Sequence, residues 1–105
     1  MTRVLIPWQR VRVSGPSMVP TLRDGDVVLV RHGTAIRPSD VVLARFRALP
    51  DLLVLKRAVH AQDGGWWLAS DNVAAAGDSA VHGVADVAAR AVLRLRRGSL
   101  PRRVR

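Results

Sequence analysis

One serine of the chain stands on a segment whose backbone is conformationally restricted. Ser17 follows Pro16 and precedes Pro20 within residues 14–22, and each proline ring fixes its own φ angle. A serine hydroxyl becomes an effective nucleophile only when a neighbouring base takes its proton. The alternative interpretation is a turn serine without chemistry, because serine is common in turns. The segment therefore offers a nucleophile that requires a base from another part of the chain.

Lys56 is the only lysine among 17 Lys and Arg residues, and it is the candidate base. Arginine keeps its proton in proteins, whereas a buried lysine can lose it. Lys56 lies inside the apolar run of residues 54–59, where residues 54, 56 and 58 would share one face of a strand. Burial there would lower its pKa and leave a neutral amine for Ser17. The alternatives are a lysine retained by chance and an edge-strand lysine whose ammonium reaches solvent.

Other catalytic arrangements have weaker support in the sequence. A Ser-His-Asp triad would need His32, His60 or His82, and none of these histidines lies in a triad motif. Asp24 and Asp26 flank a glycine and suit a tight turn better than a carboxylate pair. The chain has no cysteine, which excludes thiolate nucleophiles, disulfides and Cys-ligated zinc. We expect neither a metal site nor a cofactor.

The elements that must position Ser17 and Lys56 have the pattern of strands. Short apolar or alternating runs are separated by turn signals such as Asp63-Gly64-Gly65, which favours a small antiparallel β-barrel or folded sheet, a mainly β fold. The run at 84–95 suits a helix or a strand, and a strand is preferred because the rest of the chain builds sheet. Strands are predicted at 11–13, 27–30, 41–46, 52–60, 66–69 and 84–95, with a long loop at 70–83.

Length and composition favour one domain. The 105 residues include 49% hydrophobic residues, enough to form a single core. We expect this domain to span residues 1–97 and the basic residues 98–105 to form a disordered tail. The chain has no run of about 18 apolar residues that would cross a bilayer, and the segment before Trp8 is too short and interrupted for a signal peptide. These features predict a cytoplasmic protein or one peripheral to the membrane.

The net charge is +9, and much of it lies in the arginine-rich C-terminus. This distribution indicates which kinds of partner the protein could bind. A basic tail of this kind suits an anionic membrane surface. Nucleic-acid binding is not expected, because no basic motif is interleaved with aromatic residues and tyrosine is absent.

Three segments together resemble the signal peptidase I family of Ser/Lys peptidases. The nucleophile box of that family, S-M-x-P-T-L followed by G-D, is the most specific of its motifs, and the lysine box and the G-D-N box follow it in order. The matching segments are residues 17–22 with Gly25 and Asp26, residues 56–59, and residues 70–72 with Asp78, Ser79 and Gly83.

The resemblance implies a Ser17/Lys56 catalytic dyad and an oxyanion hole built on the backbone N–H of Ser17. The family's side-chain donor is missing at Gly15, which leaves the Ser14 hydroxyl as a weak second donor. The chain also has Ser70 in place of the first glycine of G-D-N, and Ala76 where a serine often supports the lysine. The residues expected to support the dyad are Asp71, Asn72, Asp78 and Ser79.

The resemblance further implies a serine endopeptidase that removes an N-terminal signal or propeptide from a precursor protein. The short chain is similar to anchorless members regarded as maturation proteases for nickel-type superoxide dismutase. Two other functions stay open: a self-cleaving repressor type with the same Ser/Lys core, and a non-catalytic β-module that binds peptide or membrane. The residues expected to contact an extended substrate are Val13, Ser14, Gly15, Met18, Leu22, Val54 and Leu55.

Overall fold

The computed structural model describes residues 7–105. Met1–Ile6 lie outside the described residues, and they make up most of the N-terminal segment that is expected to be too short for a signal peptide. The prediction of a mainly β, antiparallel fold is confirmed. The elements in chain order are β1 Trp8–Arg12, β2 Val27–His32, β3 Val41–Phe46, β4 Leu49–Gln62, β5 Gly65–Ala69, α1 Ser79–His82, β6 Ala85–Leu95 and β7 Arg102–Arg103.

The sheet folds back on itself around its central strand. Its strand order is β1-β2-β6-β3-β4-β5, and β5 then returns to pair with β6 through Trp66 and Ala85. The strands β6, β3, β4 and β5 therefore form a closed ring, with β2 and β1 extending the sheet from β6. The hairpin predicted at Asp63-Gly64 joins β4 to β5, and both residues have positive φ angles, as a two-residue type I′ turn requires.

Two apolar clusters form the core. The smaller cluster is built around Phe46 by residues of β3, β4, β5 and β6. The larger one is built by residues of β2, β3, β4 and β6 together with Val13 and residues of the segment 14–22 that carries Ser17, here called the serine segment. Met18 and Leu22 belong to this larger cluster and are almost fully buried. Val13, which precedes Ser17, belongs to the same cluster and is also buried, so that apolar packing on both sides of the serine fixes the position of the serine segment.

All six predicted strands are present, and the largest differences are in β1 and β4, each of which begins three residues before its predicted start. The run at 84–95 forms the strand β6, as preferred over a helix. The predicted loop at 70–83 contains the short helix α1, whose first turn is capped by the Asp78 carboxylate. In the described part of the chain, no helix has the length and apolarity needed to cross a bilayer.

The C-terminal residues differ from the expectation of a disordered tail. Residues 102–103 form β7, which pairs with β6, and the Val104 N–H donates to the Val92 carbonyl at 2.9 Å. The chain reverses after β6 in a turn closed by the Ser99 N–H and the Arg96 carbonyl. The arginine-rich composition predicts a solvated tail. The pairing of β7 with β6 instead depends on the backbone, because this turn brings β7 to an edge of β6 that has free hydrogen-bonding groups.

Candidate active site

The serine segment is a turn closed by backbone hydrogen bonds. The Val19 N–H donates to the Pro16 carbonyl at 3.1 Å and the Leu22 N–H to the Met18 carbonyl at 2.9 Å. Gly15 enters this turn with a φ angle of 82°, a conformation that favours glycine. Its N–H donates to the Asp24 carboxylate at 2.8 Å. Ser17 itself is half-buried, with the buried Met18 next to it.

Asn72 attaches the loop after β5 to the serine segment. Its backbone N–H donates to the Ser17 carbonyl at 2.9 Å, and its side-chain amide donates to the Pro16 carbonyl at 3.1 Å. Because both carbonyls belong to the turn that holds the serine, Asn72 fixes this turn from outside. The sequence predicts Asn72 as a residue that supports the dyad; its observed contacts are with the turn that carries Ser17.

Lys56 lies in β4 and is 4% exposed. Its ammonium donates to the Ser70 hydroxyl at 2.9 Å. Burial lowers the pKa of Lys56 below its ordinary value of 10.5, and the nearby charge of Asp78 partly opposes that shift. A lysine in this environment is easier to deprotonate than one in water, which is the property that a general base requires.

The hydroxyl that contacts Lys56 is therefore provided by Ser70, a residue that stands out in the sequence only as a departure from glycine. Asp78 and Ser79, which were expected to support the lysine, have other contacts. The Asp78 carboxylate accepts from the N–H groups of Ser70 at 3.3 Å and Ala80 at 3.0 Å, and the buried Ser79 hydroxyl accepts from the Leu68 N–H at 2.7 Å. Asp78 thus acts on Lys56 through its charge and through Ser70, and Ser79 holds the end of β5.

Asp71 joins three segments around the site. The Arg57 guanidinium donates to both of its carboxylate oxygens, at 3.0 and 2.6 Å, and the Thr21 hydroxyl donates to one of them at 2.5 Å. Burial alone would raise the pKa of Asp71, but the hydrogen bonds from Arg57 and Thr21 hold it below its usual value. No sequence pattern predicts a partner for Arg57. Its ion pair with Asp71 links β4 to the loop after β5, and Thr21 extends this link to the serine segment.

Ser17 and Lys56 line the same cavity of about 450 Å³. Ser14, the weak candidate for a second oxyanion donor, lines it as well, and so does His82 from α1. His82 packs its ring against Phe46, with 5.1 Å between the ring centroids. The cavity thus combines a hydroxyl, a buried amine and an imidazole, and it can hold a peptide carbonyl beside the serine.

Five of the seven predicted substrate contacts line this cavity. Leu22 does not, because it is 0% exposed in the larger core cluster, so that its expected role as a pocket residue is corrected to core packing. Gly15 is also outside the lining, and its N–H is occupied by Asp24. The contacts that line the cavity are Val13, Ser14, Met18, Val54 and Leu55.

Leu52 and Leu53 also line the cavity, although neither was predicted as a substrate contact. They are 52% and 40% exposed, so that they present apolar surface at the cavity. All four residues from 52 to 55 are apolar, and this run was the only sequence signal for such contacts. The sequence alone does not tell which of the four face a cavity.

The other two histidines lie away from the cavity. His32 contacts the Gln9 amide at 2.7 Å, and the His60 ring stacks on Trp67 with 6.2 Å between centroids. Of the three histidines weighed for a triad, only His82 therefore reaches the cavity that holds Ser17. Within residues 7–105, no group of three or more His, Asp, Glu or Cys side chains is placed to hold a metal ion.

Comparison with known proteins gives a family for this chain. The sequence profile described as Peptidase S24-like matches residues 9–91, a range that contains both Ser17 and Lys56. No curated protein sequence matches the chain. Because the match covers most of the chain, including the cavity and the elements that build it, this protein belongs to the Peptidase S24-like family.

Proposed function

We propose that this protein is a serine endopeptidase in which Ser17 is the nucleophile and Lys56 the general base. The observation that carries the proposal is that a half-buried serine and a buried lysine of lowered pKa, 39 positions apart (56 − 17), line one cavity. A turn serine or a buried lysine alone would not indicate catalysis. Their convergence in a chain of a peptidase family supports a catalytic pair.

The mechanism follows from the roles of the two groups. Neutral Lys56 takes the Ser17 proton as the serine oxygen attacks the scissile carbonyl, and the Ser17 N–H stabilises the oxyanion that forms. Protonated Lys56 then gives this proton to the leaving amine, which departs and leaves an acyl-enzyme. Water, deprotonated by the same lysine, hydrolyses the acyl-enzyme and restores the serine hydroxyl.

Two strand edges beside the cavity suit an extended peptide. β4 pairs with β5 only from Arg57 onward, so that on its β5 side the backbone before Arg57 has no partner strand in the described part of the chain. Within residues 7–105, β1 pairs with β2 alone. Residues from both edges line the cavity, which favours a substrate that adds to the sheet as a strand.

The substrate class proposed is a precursor protein that carries an N-terminal signal or propeptide. The resemblance to signal peptidase I supports this class, and the candidate precursor that we propose is that of a nickel-type superoxide dismutase. The apolar lining, which includes Val13, Met18 and Leu55, suits small apolar residues next to the scissile bond.

The experiment is incubation of the purified protein with a panel of candidate precursors, including the superoxide dismutase precursor, and mass spectrometry of the new N-termini. We expect one discrete cleavage, lost by more than about a thousandfold in Ser17→Ala. A Ser99→Ala variant, which changes an exposed serine outside the cavity of Ser17 and Lys56, serves as the matched control and should keep most of the activity.

Three outcomes would contradict the proposal. Cleavage that persists in Ser17→Ala would show that Ser17 is not the nucleophile. Binding of a precursor without cleavage would favour the non-catalytic module. Cleavage only within this chain, at a rate independent of protein concentration, would favour the self-cleaving repressor type.

A further inference from the structure

A second cavity, distinct from the one that contains Ser17, is surrounded by arginines. It has a volume of about 650 Å³ and lies where the C-terminal residues fold back on β6. None of the side chains that line it is acidic. Four of them are arginines from the two strands and the last position: Arg94, Arg102, Arg103 and Arg105.

These four arginines have no side-chain carboxylate partner in the described part of the chain. The ion pairs within residues 7–105 involve other arginines, and Asp26, which pairs with the nearby Arg96, accepts from it through both oxygens at 2.9 Å. Asp26 also accepts from the Arg23 N–H at 2.8 Å and is 3% exposed. Asp26 is therefore hydrogen-bonded to Arg96, and although its charge also acts on Arg94, no side-chain carboxylate within residues 7–105 forms an ion pair with any of the four arginines.

Arg94 carries the most specific sign of a missing ligand. Its Nε atom is buried and has no hydrogen-bond partner among the described residues. A buried N–H of a charged group that has lost water and gained no acceptor is costly, and such groups are rare in folded proteins. Arg94 also lines the cavity, where an oxyanion would compensate the charge of its guanidinium.

The register of the strands brings like charges together. Arg94 of β6 stands directly opposite Arg102 of β7. Like charges at opposed positions of an antiparallel pair destabilise the pairing. A bound anion between them would turn this repulsion into attraction, so that the geometry fits a site completed by a ligand.

We propose that this cavity binds a phosphate group, carried either by a soluble phosphate compound or by a phospholipid headgroup. A phosphate group presents several oxygens to the planar guanidinium forks of arginine, which bind it through paired, charge-assisted hydrogen bonds. The proposal does not rest on the peptidase activity, because none of the four arginines lines the cavity of Ser17 and Lys56.

The test is isothermal titration calorimetry of the purified chain with inorganic pyrophosphate at fixed ionic strength. We expect saturable binding at one site, weakened roughly 10- to 100-fold in Arg94→Gln. The matched control is Arg37→Gln, which removes one arginine outside the cavity and should change the affinity by less than about twofold, as screening of a distant charge predicts. Arg103→Gln, a change at an exposed residue of the same cavity, keeps the test valid if Arg94→Gln fails to fold.

A second arm distinguishes the two sources of phosphate. Vesicles of phosphatidylcholine with phosphatidic acid are compared with vesicles of phosphatidylcholine alone, in the presence and absence of pyrophosphate. Binding to the acidic vesicles that pyrophosphate competes away assigns the site to a headgroup, and pyrophosphate binding without vesicle binding assigns it to a soluble compound. The proposal is overturned if pyrophosphate does not bind, or if both Arg94→Gln and Arg103→Gln bind it as well as Arg37→Gln does.

Discussion

At the scale of single residues, the burial of Lys56 lowers its pKa, and the NMR signal of its side-chain nitrogen can measure this change. Burial lowers the pKa of this amine and the charge of Asp78 opposes the shift, so that the net pKa lies below 10.5. Because Lys56 is the only lysine, ¹⁵N-lysine labelling gives a single side-chain signal for titration by NMR. We expect a midpoint below 10.5, and a lower one still in Asp78→Asn. A midpoint at or above 10.5 would contradict this prediction.

The same titration predicts how stability depends on pH. The folded-state pKa of Lys56 is lower than its value in the unfolded chain, so that between these two pKa values the unfolded chain binds more protons. The contribution of Lys56 to the free energy of unfolding therefore rises with pH across that window, up to about 10.5. Below the window, burial of the charged amine lowers stability.

Ser70 is predicted to act by positioning Lys56. Its hydroxyl accepts from the lysine at 2.9 Å, and Ser70→Ala removes that acceptor. We expect kcat to fall about tenfold, the equivalent of one hydrogen bond of ~1.4 kcal/mol, with KM little changed. Ser70→Thr should restore most of kcat because it keeps the hydroxyl. Equal losses in both variants, or a loss confined to KM, would argue against this role.

At the scale of elements, the ion pair between Arg57 and Asp71 holds the lysine strand, the loop after β5 and the serine segment together. Its side chains are 20% and 15% exposed, whereas those of the Arg47–Asp86 pair are 43% and 62% exposed. Asp71→Asn leaves a half-buried guanidinium without its charge partner and should lower the free energy of unfolding by about 2 kcal/mol or more.

The matched control for this prediction is Asp86→Asn, which breaks the exposed ion pair and should cost no more than about 1 kcal/mol. Urea denaturation at neutral pH measures both variants. The hydrogen bonds hold the pKa of Asp71 below 3.8, so its stabilising effect should be present above that pH and lost as the pH falls through the folded-state pKa. Equal stability losses in the two variants would show that the Arg57–Asp71 pair has no special role.

The C-terminal hairpin shows what element-scale features a sequence pattern misses. Arginines at 102, 103 and 105 suggested a solvated tail, because a charge run has no apolar periodicity to indicate a strand. The pairing of β7 with β6 arises from backbone hydrogen bonds and from Val104, which packs against the larger core cluster. Neither contribution has a local signature in the sequence.

At the scale of the whole molecule, closure of the sheet depends on Gly65. A Cβ added there would overlap the Ala85 carbonyl oxygen and lie 2.8 Å from a Val84 methyl, at the point where β5 returns to β6. Gly65→Ala should therefore force the two strands apart and lower the free energy of unfolding by about 2–3 kcal/mol, as overpacking does.

Gly33→Ala is the control for this variant in thermal and urea denaturation. Gly33 has a φ angle of 72° and open space around its Cβ position, so that only backbone strain of about 1 kcal/mol is expected. A smaller loss for Gly65→Ala than for Gly33→Ala would show that the ring tolerates opening at β5.

The sequence predicts more of this molecule than it leaves open, and the division has a physical basis. Strands such as β3 and turns such as Asp63-Gly64 follow from local periodicity and backbone conformation. Ser17 and Lys56, selected by residue type and motif, line one cavity, and their catalytic roles stay a prediction. The contacts of Ser70, the burial of Leu22 and the closure at Gly65 depend on residues distant in the chain. No local pattern encodes those contacts, so only the folded structure reveals them.

The measurement that tests the central proposal most directly is kcat/KM of Lys56→Arg on a substrate that the wild-type protein cleaves. Arginine keeps a positive charge but cannot act as a base, so we predict a loss of at least about a hundredfold, the lower range for general-base catalysis. Lys56→Met, similar in length and uncharged, should be equally inactive and remain folded by circular dichroism. Activity of Lys56→Arg within about tenfold of the wild type would contradict the assignment of Lys56 as the base of Ser17.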